Sequence, residues 1–282
     1  MNPSTKISII IPSFNQGRFL ADTLRSIIDQ NYENVEIIVM DGGSTDNSVD
    51  VIKSFEPYIT YWQSEKDGGQ SAAINNGIKR ATGEFVTWLN SDDVLLPGAL
   101  NAVNKAILRN PNCDFFLGNT IWIDKSGLII SIKKVEPIRS FFANRHFFSN
   151  GGPSAFMRKS TLEKVGLLRE DFHYMMDTEL WHRFIANKIL PKRITSFIWG
   201  LRFHEDAKTS GCYFENSKYA NKDHPSWVQK KIEFRYISDT FKINNSAIKV
   251  LIWRVLKPFR LSFYSRYIYI GFKGKHYSTL SI

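Results

Sequence analysis

The sequence predicts an α/β protein built on a parallel, doubly wound sheet, and three observations predict it. Four β-rich runs alternate with helical patterns over the first 95 residues. The runs are apolar nearly throughout, as expected of strands covered on both faces. Each run ends in a short polar segment rich in Asp, Asn or Gly, so the chemistry-bearing residues gather at one edge, where such sheets bind ligands.

The elements follow in order. Lys6 to Ile11 reads as a buried strand that Pro12 stops. Residues 18–30 place Phe19, Leu24, Ile27 and Ile28 at helical spacing, an amphipathic helix. Val35 to Met40 is the second strand, and Ser44-Thr45-Asp46 caps a helix from about 47 to 55. Ile59 to Gln63 is a third short strand, followed by the turn Asp67-Gly68-Gly69. Residues 70–81 form a small-residue helix closed by Gly83. Glu84 to Leu89 is the fourth strand; it stops at Asn90-Ser91 and delivers Asp92 and Asp93.

The second half is more mixed. Residues 114–124 and 127–134 read as strands joined at Asp124-Lys125-Ser126-Gly127, a hairpin signal. Residues 138–148 are aromatic-rich, and Asn150-Gly151-Gly152-Pro153 is a tight turn before a strand from Ser154 to Met157. Residues 176–187 form a helix that turns Leu180, Trp181, Phe184 and Ile185 inward. From about 225 the pattern is helical and basic.

Bulk properties narrow the class. At 282 residues, 43% hydrophobic and 23% charged, the chain can bury a full core as one large domain or two small ones. No apolar run approaches the roughly 20 residues of a spanning helix, and no secretory signal is expected. Cys113 and Cys212 show no metal or redox spacing and fit a reduced compartment, so a cytoplasmic location is expected. The net charge of +10 is segregated: residues 1–215 hold 24 basic and 24 acidic side chains, residues 216–282 hold 13 and 3. That divides the chain into a neutral body, 1–215, and a basic appendage, 216–282.

The carboxylates suggest the chemistry. Asp92 and Asp93 offer hard oxygen donors, suited to Mg²⁺ or Mn²⁺ carrying substrate phosphates. An isolated Ser-Asp-Asp would more simply be a turn. Here, however, Asp41 follows strand two, Asp67 follows strand three, and Pro12-Ser13-Phe14-Asn15 closes strand one on the same edge. Four such segments on one rim describe a nucleotide site.

At these residues the chain resembles a known family. Ser8 to Asn15, Asp41-Gly42-Gly43-Ser44-Thr45-Asp46, Asp67-Gly68-Gly69-Gln70-Ser71, Asn75-Asn76-Gly77-Ile78, Gly83-Glu84-Phe85 and Asn90-Ser91-Asp92-Asp93 are similar, in order and spacing, to the family 2 glycosyltransferases, inverting enzymes of the GT-A fold. The likeness covers residues 7–98 well, about 99–210 loosely, and the segment after 215 hardly at all. It implies a nucleotide-sugar-binding half, 1–98, and an acceptor half, 99–215.

The resemblance also implies roles. Asp41 would accept the imide N–H of a uracil base, Phe14 would lie against that base, and Pro12, Asn15, Asp67 and Gln70 would line the nucleotide. Asp93 would be the principal ligand of a divalent metal (Mn²⁺ or Mg²⁺), with Asp92 toward ribose or metal, because Ser91 is not a third acid. Asp177 would be the base that takes the acceptor's proton, with helix capping as its plainer role and Glu179 as its rival. In the stretch Leu201 to Ser210, His204 is open between metal ligand, phosphate donor and structural residue, and Lys208 would bind phosphate.

The expected activity is inverting transfer from a nucleotide sugar, with UDP the expected nucleotide, to a glycan or polyprenyl-linked acceptor in surface polysaccharide assembly. Residues 248–275 interleave Arg254, Lys257, Arg260, Arg266 and Lys273 with aromatic residues, a pattern suited to an anionic membrane surface, so peripheral attachment at the inner face of the cell membrane is expected and nucleic acid is not. Pro258 breaks any continuous helix there. Two alternatives remain. One is a nucleotidyltransferase on a similar sheet, which would want a richer Gly and Lys/Arg loop than Pro12 to Arg18 supplies; the other is a binding protein acting through residues 216–282.

Overall fold

The structure, a computed structural model, describes residues 4–135, 152–172, 174, 176–208 and 274–280. Strand β1 (Ile7–Ser13) lies between β2 (Val35–Asp41) and β4 (Phe85–Trp88), with β3 (Tyr61–Ser64) outside β2, all four parallel. Helix α1 (Gly17–Ile28) follows β1, α2 (Ser48–Ser54) follows β2, and α3 (Gln70–Arg80) follows β3. Side chains of β1 alternate between two cores: Ile7, Ile9 and Ile11 pack with Leu20, Leu24 and Ile27 of α1, while Ile10 packs with Ile74 and Ile78 of α3.

Pro12 does not stop β1. The strand runs on to Ser13, in register with Asp41. Its missing N–H falls on the β4 side, where pairing has already ended at Ile10 and Trp88, so no ladder bond is lost.

Beyond β4 the sheet turns mixed. The two-residue β5 (Val94–Leu95) leads into α4 (Ala99–Arg109), and β6 (Phe115–Ile123) forms an antiparallel hairpin with β7 (Ile129–Lys133). A 3-10 turn, Gly152–Ser154, leads into β8 (Ala155–Arg158), which joins β4 to β6 antiparallel. Helices α5 (Lys159–Val165) and α6 (Met176–Ala186) follow, then β9 (Lys192–Arg202), which runs parallel to β6 and antiparallel to β5. The order is β3-β2-β1-β4-β8-β6-β9-β5, with β7 also on β6.

One expectation changes at the C-terminus. Residues 274–280 are not an appendage: they return to the β6–β7 hairpin, where Ile129 N–H donates to the Lys275 carbonyl at 2.8 Å and Tyr277 N–H to that of Gly127 at 3.1 Å. Leu280 packs with Val94, Leu96, Ile121 and Ile129. The aromatic stretch 138–148, Gly151 and the basic segment 248–273 lie outside the described residues. Among the described residues, no helix is long and apolar enough to cross a membrane.

Candidate active site

The carboxyl ends of β1 to β4 bring the expected segments to one rim. Phe14 follows β1 with 60% of its surface exposed, an uncovered ring on an otherwise polar edge. Asn15 takes the left-handed conformation, φ 52°, which Asn tolerates better than most residues. Its N–H donates to Ser44 Oγ at 2.8 Å and its Oδ1 accepts Thr45 N–H at 2.8 Å, clasping the β1 loop to the β2 loop. Pro12 is buried within β1.

Asp41 is buried at the end of β2. It accepts from Ser44 N–H at 2.9 Å, Ser44 Oγ at 2.6 Å and Ser64 Oγ at 2.7 Å. An ionised carboxylate has about four acceptor positions, so donors among the described residues fill three of them. Asp67 lies beside it: a Cβ added to Gly42 would stand 3.1 Å from Asp67 Oδ2, and Asp67 Oδ1 accepts Gly69 N–H at 2.7 Å.

A polar chain crosses the rim from there. Lys208 Nζ donates to Gln70 Oε1 at 3.1 Å, Gln70 Nε2 to Asn90 Oδ1 at 2.8 Å, and Asn90 Nδ2 to Asp93 Oδ2 at 3.0 Å. Gln70 opens α3, so the first turn of that helix, the β4 loop and Lys208 are joined.

Asp92 and Asp93 part company. Asp93 was expected to lead the metal ligands, but its side chain has no exposed surface. Its Oδ1 accepts Arg202 N–H at 2.8 Å and its Oδ2 accepts from Asn90, so both oxygens face inward. Burial, reinforced by neighbouring Asp92, pushes its carboxyl well above the usual carboxylate range. Asp92 is partly exposed, and its Oδ2 lies 3.0 Å from Nε2 of His204, whose ring is buried. A carboxylate oxygen and an imidazole nitrogen that close can occupy adjacent positions around a small divalent cation, with substrate phosphate and water completing the shell. The pair therefore fits such an ion. Among the described residues no cluster of three acidic, His or Cys ligands forms.

Several residues that build this turn were not singled out by the sequence. Arg202, at the end of β9, is almost wholly buried; its Nε donates to the Asp92 carbonyl at 2.9 Å while its backbone holds Asp93. Thr23 Oγ1, on α1, lies 2.7 Å from the Asp93 carbonyl and 2.9 Å from that of Ser91. Ser26 Oγ accepts Leu95 N–H at 3.0 Å, and Gln30 Nε2 donates to the Leu96 carbonyl at 3.0 Å. The legible signal was the stripe Thr23, Ser26, Gln30 on an otherwise apolar helical face.

Asp177 stands in the first turn of α6. Its Oδ2 accepts Gly152 N–H at 3.2 Å and its Oδ1 accepts Thr178 N–H, in the first turn of its own helix, at 2.6 Å. Burial outweighs these bonds and raises its carboxyl above the ordinary range. Ser71 Oγ meets Met176 Sδ at 2.9 Å, which sets the start of α6 against the start of α3, one residue from Gln70. Glu179 is engaged elsewhere, gripped by Arg183 at 2.9 to 3.1 Å. Trp181 and Trp199 are both buried in the core.

Comparisons with known proteins agree with this fold. The model of glycosyl transferase family 2 matches residues 8–166, more than half of the chain. An uncharacterized glycosyltransferase of Rickettsia typhi is 31% identical over 192 residues, 64% of this chain and 59% of that protein. The GalNAc(5)-diNAcBac-PP-undecaprenol beta-1,3-glucosyltransferase of Campylobacter jejuni is 35% identical over 126 residues, 43% of this chain and 40% of that one. The chain thus spans about 59% of the length of the rickettsial relative. Among solved structures, residues 1–349 of S. aureus TarS in complex with UDP-GlcNAc match with a TM-score of 0.60 at 16% identity, over 86% of this chain and 69% of that one. The mannosyltransferase PcManGT from Pyrobaculum calidifontis, in complex with GDP-Man and Mn²⁺, matches at 0.53 and 17%, over 86% and 66%. These two likenesses are of fold.

Proposed function

The chain belongs to glycosyl transferase family 2, and from that membership we propose that it transfers a sugar from a nucleoside diphosphate sugar to a hydroxyl acceptor with inversion. One observation carries the reading. A single rim holds an uncovered aromatic ring, a carboxylate held by serine donors, an Asp-His pair whose carboxylate is partly exposed and whose imidazole is buried, and a half-buried carboxylate of raised basicity.

In this reading Phe14 lies on the base and Asp41 accepts its N–H, which a uracil imide supplies. Asn15, Asp67, Gln70 and Lys208 line the path toward the diphosphate. Asp92 and His204 would hold a divalent cation, Mn²⁺ or Mg²⁺, whose charge offsets the negative charge that grows on the departing diphosphate. Asp177 takes the proton of the acceptor hydroxyl as that oxygen bonds to the anomeric carbon and the bond to the diphosphate oxygen breaks. Attack opposite the leaving group inverts the centre.

The UDP-GlcNAc bound to TarS and the GDP-Man bound to PcManGT support a nucleotide-sugar donor, the former a UDP-sugar, and the undecaprenol-linked acceptor in the name of the Campylobacter relative supports a glycan or polyprenyl-linked acceptor in surface polysaccharide assembly. The basic residues of 248–275 would seat the protein at the inner face of an anionic membrane. A hydrolysis screen across nucleotide sugars, with and without Mn²⁺, tests the reading. Cation-dependent release of UDP from one or a few UDP-sugars is expected. A chain that neither binds nor hydrolyses any nucleotide sugar sinks it.

A further inference from the structure

Arg18, the second residue of α1, makes a set of contacts that the reaction does not require. Its Nη2 lies 2.9 Å from His204 Nδ1 and 2.9 Å from Asp206 Oδ2, which uses both hydrogens of that nitrogen. Its Nη1 is 3.7 Å from Glu205 Oε1, and its guanidinium rests 4.5 Å from the centroid of the Phe19 ring. Phe19 in turn packs on the His204 ring, centroids 4.6 Å apart. The guanidinium is thus fixed from three sides.

A guanidinium only donates hydrogen bonds. His204 Nδ1 must therefore accept, and in the neutral ring the proton then sits on Nε2, where it is donated to Asp92 Oδ2. That is the wrong tautomer for coordination, because Nε2 has no lone pair to offer a cation. Capture of the ion by Asp92 and His204 requires the proton on Nδ1, where the Arg18 N–H now points.

We propose that Arg18 is a positioning residue that holds His204 in the Nε2–H tautomer and so competes with cation capture until its hydrogen bond to Nδ1 is released. The proposal rests on Asp92 and His204 being the cation site. It makes the affinity of the site for a bare cation depend on a residue that is not itself a ligand.

The test uses the full chain without nucleotide. Nitrogen-15 NMR of histidine-labelled protein should show His204 with Nε2 protonated and Nδ1 bare, and Arg18→Met should shift the ring toward the other tautomer. Mn²⁺ titration followed by electron paramagnetic resonance should show Arg18→Met binding roughly tenfold more tightly, the scale of one lost charge-assisted hydrogen bond. Lys125→Met removes another exposed cation near Glu205 and controls for charge alone; it should leave the tautomer unchanged and gain less. Equal gains in the two variants, or Nδ1 protonated in the parent, overturn the proposal. His204→Ala separates the two levels. If it weakens Mn²⁺ binding and abolishes the gain from Arg18→Met, the proposal stands. If it weakens binding but the gain persists, the cation site survives and the role of Arg18 falls. If it leaves Mn²⁺ binding unchanged, His204 is not a ligand and both fall.

Discussion

Asp92 and Asp93 are neighbours in the chain and opposites in environment, so their substitutions should fail differently. Asp92→Asn is expected to abolish Mn²⁺-dependent UDP binding with little change in urea stability. Asp93→Ala leaves Arg202 N–H and Asn90 without their acceptor, at a cost of about 1–3 kcal/mol per buried group, and should first appear as a lower urea midpoint. The pair was legible in the sequence as a unit, since polar residues at a strand end mark a rim. Its division was not, because which carboxylate turns inward depends on Arg202, over a hundred residues away. Asp177 gives a second prediction, in pH. A base acts deprotonated, and burial raises this carboxyl, so kcat/KM at saturating metal should fall with acidification at a pH above that of an ordinary carboxylate. Asp177→Asn should remove that acid limb, lower transfer by about 10²–10⁴-fold and leave UDP affinity unchanged.

The elements that frame these residues were legible in proportion to their periodicity. The four parallel strands are short apolar runs bounded by polar turns and α1 shows helical spacing, and these elements, with α2 and α3, form within a few residues of expectation. Strand β5, only two residues long, has no such pattern, and β9 earns its place by pairing with β5 and β6 rather than by local sequence. The turn before β8 is a different case. Gly152-Pro153 reads as an ordinary turn, yet a Cβ at Gly152 would fall inside the indole of Trp88, which is itself buried and stacked on Trp181 with centroids 6.1 Å apart. The glycine lets its N–H approach Asp177. Gly152→Ala is therefore expected to cost about 1–3 kcal/mol by overpacking, measured by urea denaturation. The displaced N–H would also stop stabilising the Asp177 carboxylate, so the acid limb of the pH profile should move further upward. A limb that stays in place would show that Gly152 only packs.

At the scale of the whole molecule, the described residues after 215 belong with the body and not apart from it. The basic excess begins after 215, but residues 274–280 return to the body and close it. Composition reports solvation and partners; it says nothing about which late residues a hairpin recruits as an edge partner. The returning segment covers the cluster of Val94, Leu96, Ile121, Ile123, Ile129 and Ile132, two of whose members directly follow the Asp92-Asp93 turn. Tyr277 packs against the same cluster, and Gly127 at the hairpin tip has no room for a side chain beside His276. Residues 274–280 therefore brace the turn that presents Asp92. Leu280→Ala should cost about 2 kcal/mol, the low end for a buried leucine because this one sits at the margin of its cluster. It should lower the urea midpoint of the whole chain in one transition and weaken Mn²⁺-dependent UDP binding, while Leu190→Ala, at an exposed site away from that cluster, should do neither. If residues 216–282 were an independent appendage, Leu280→Ala would leave both measurements where they were.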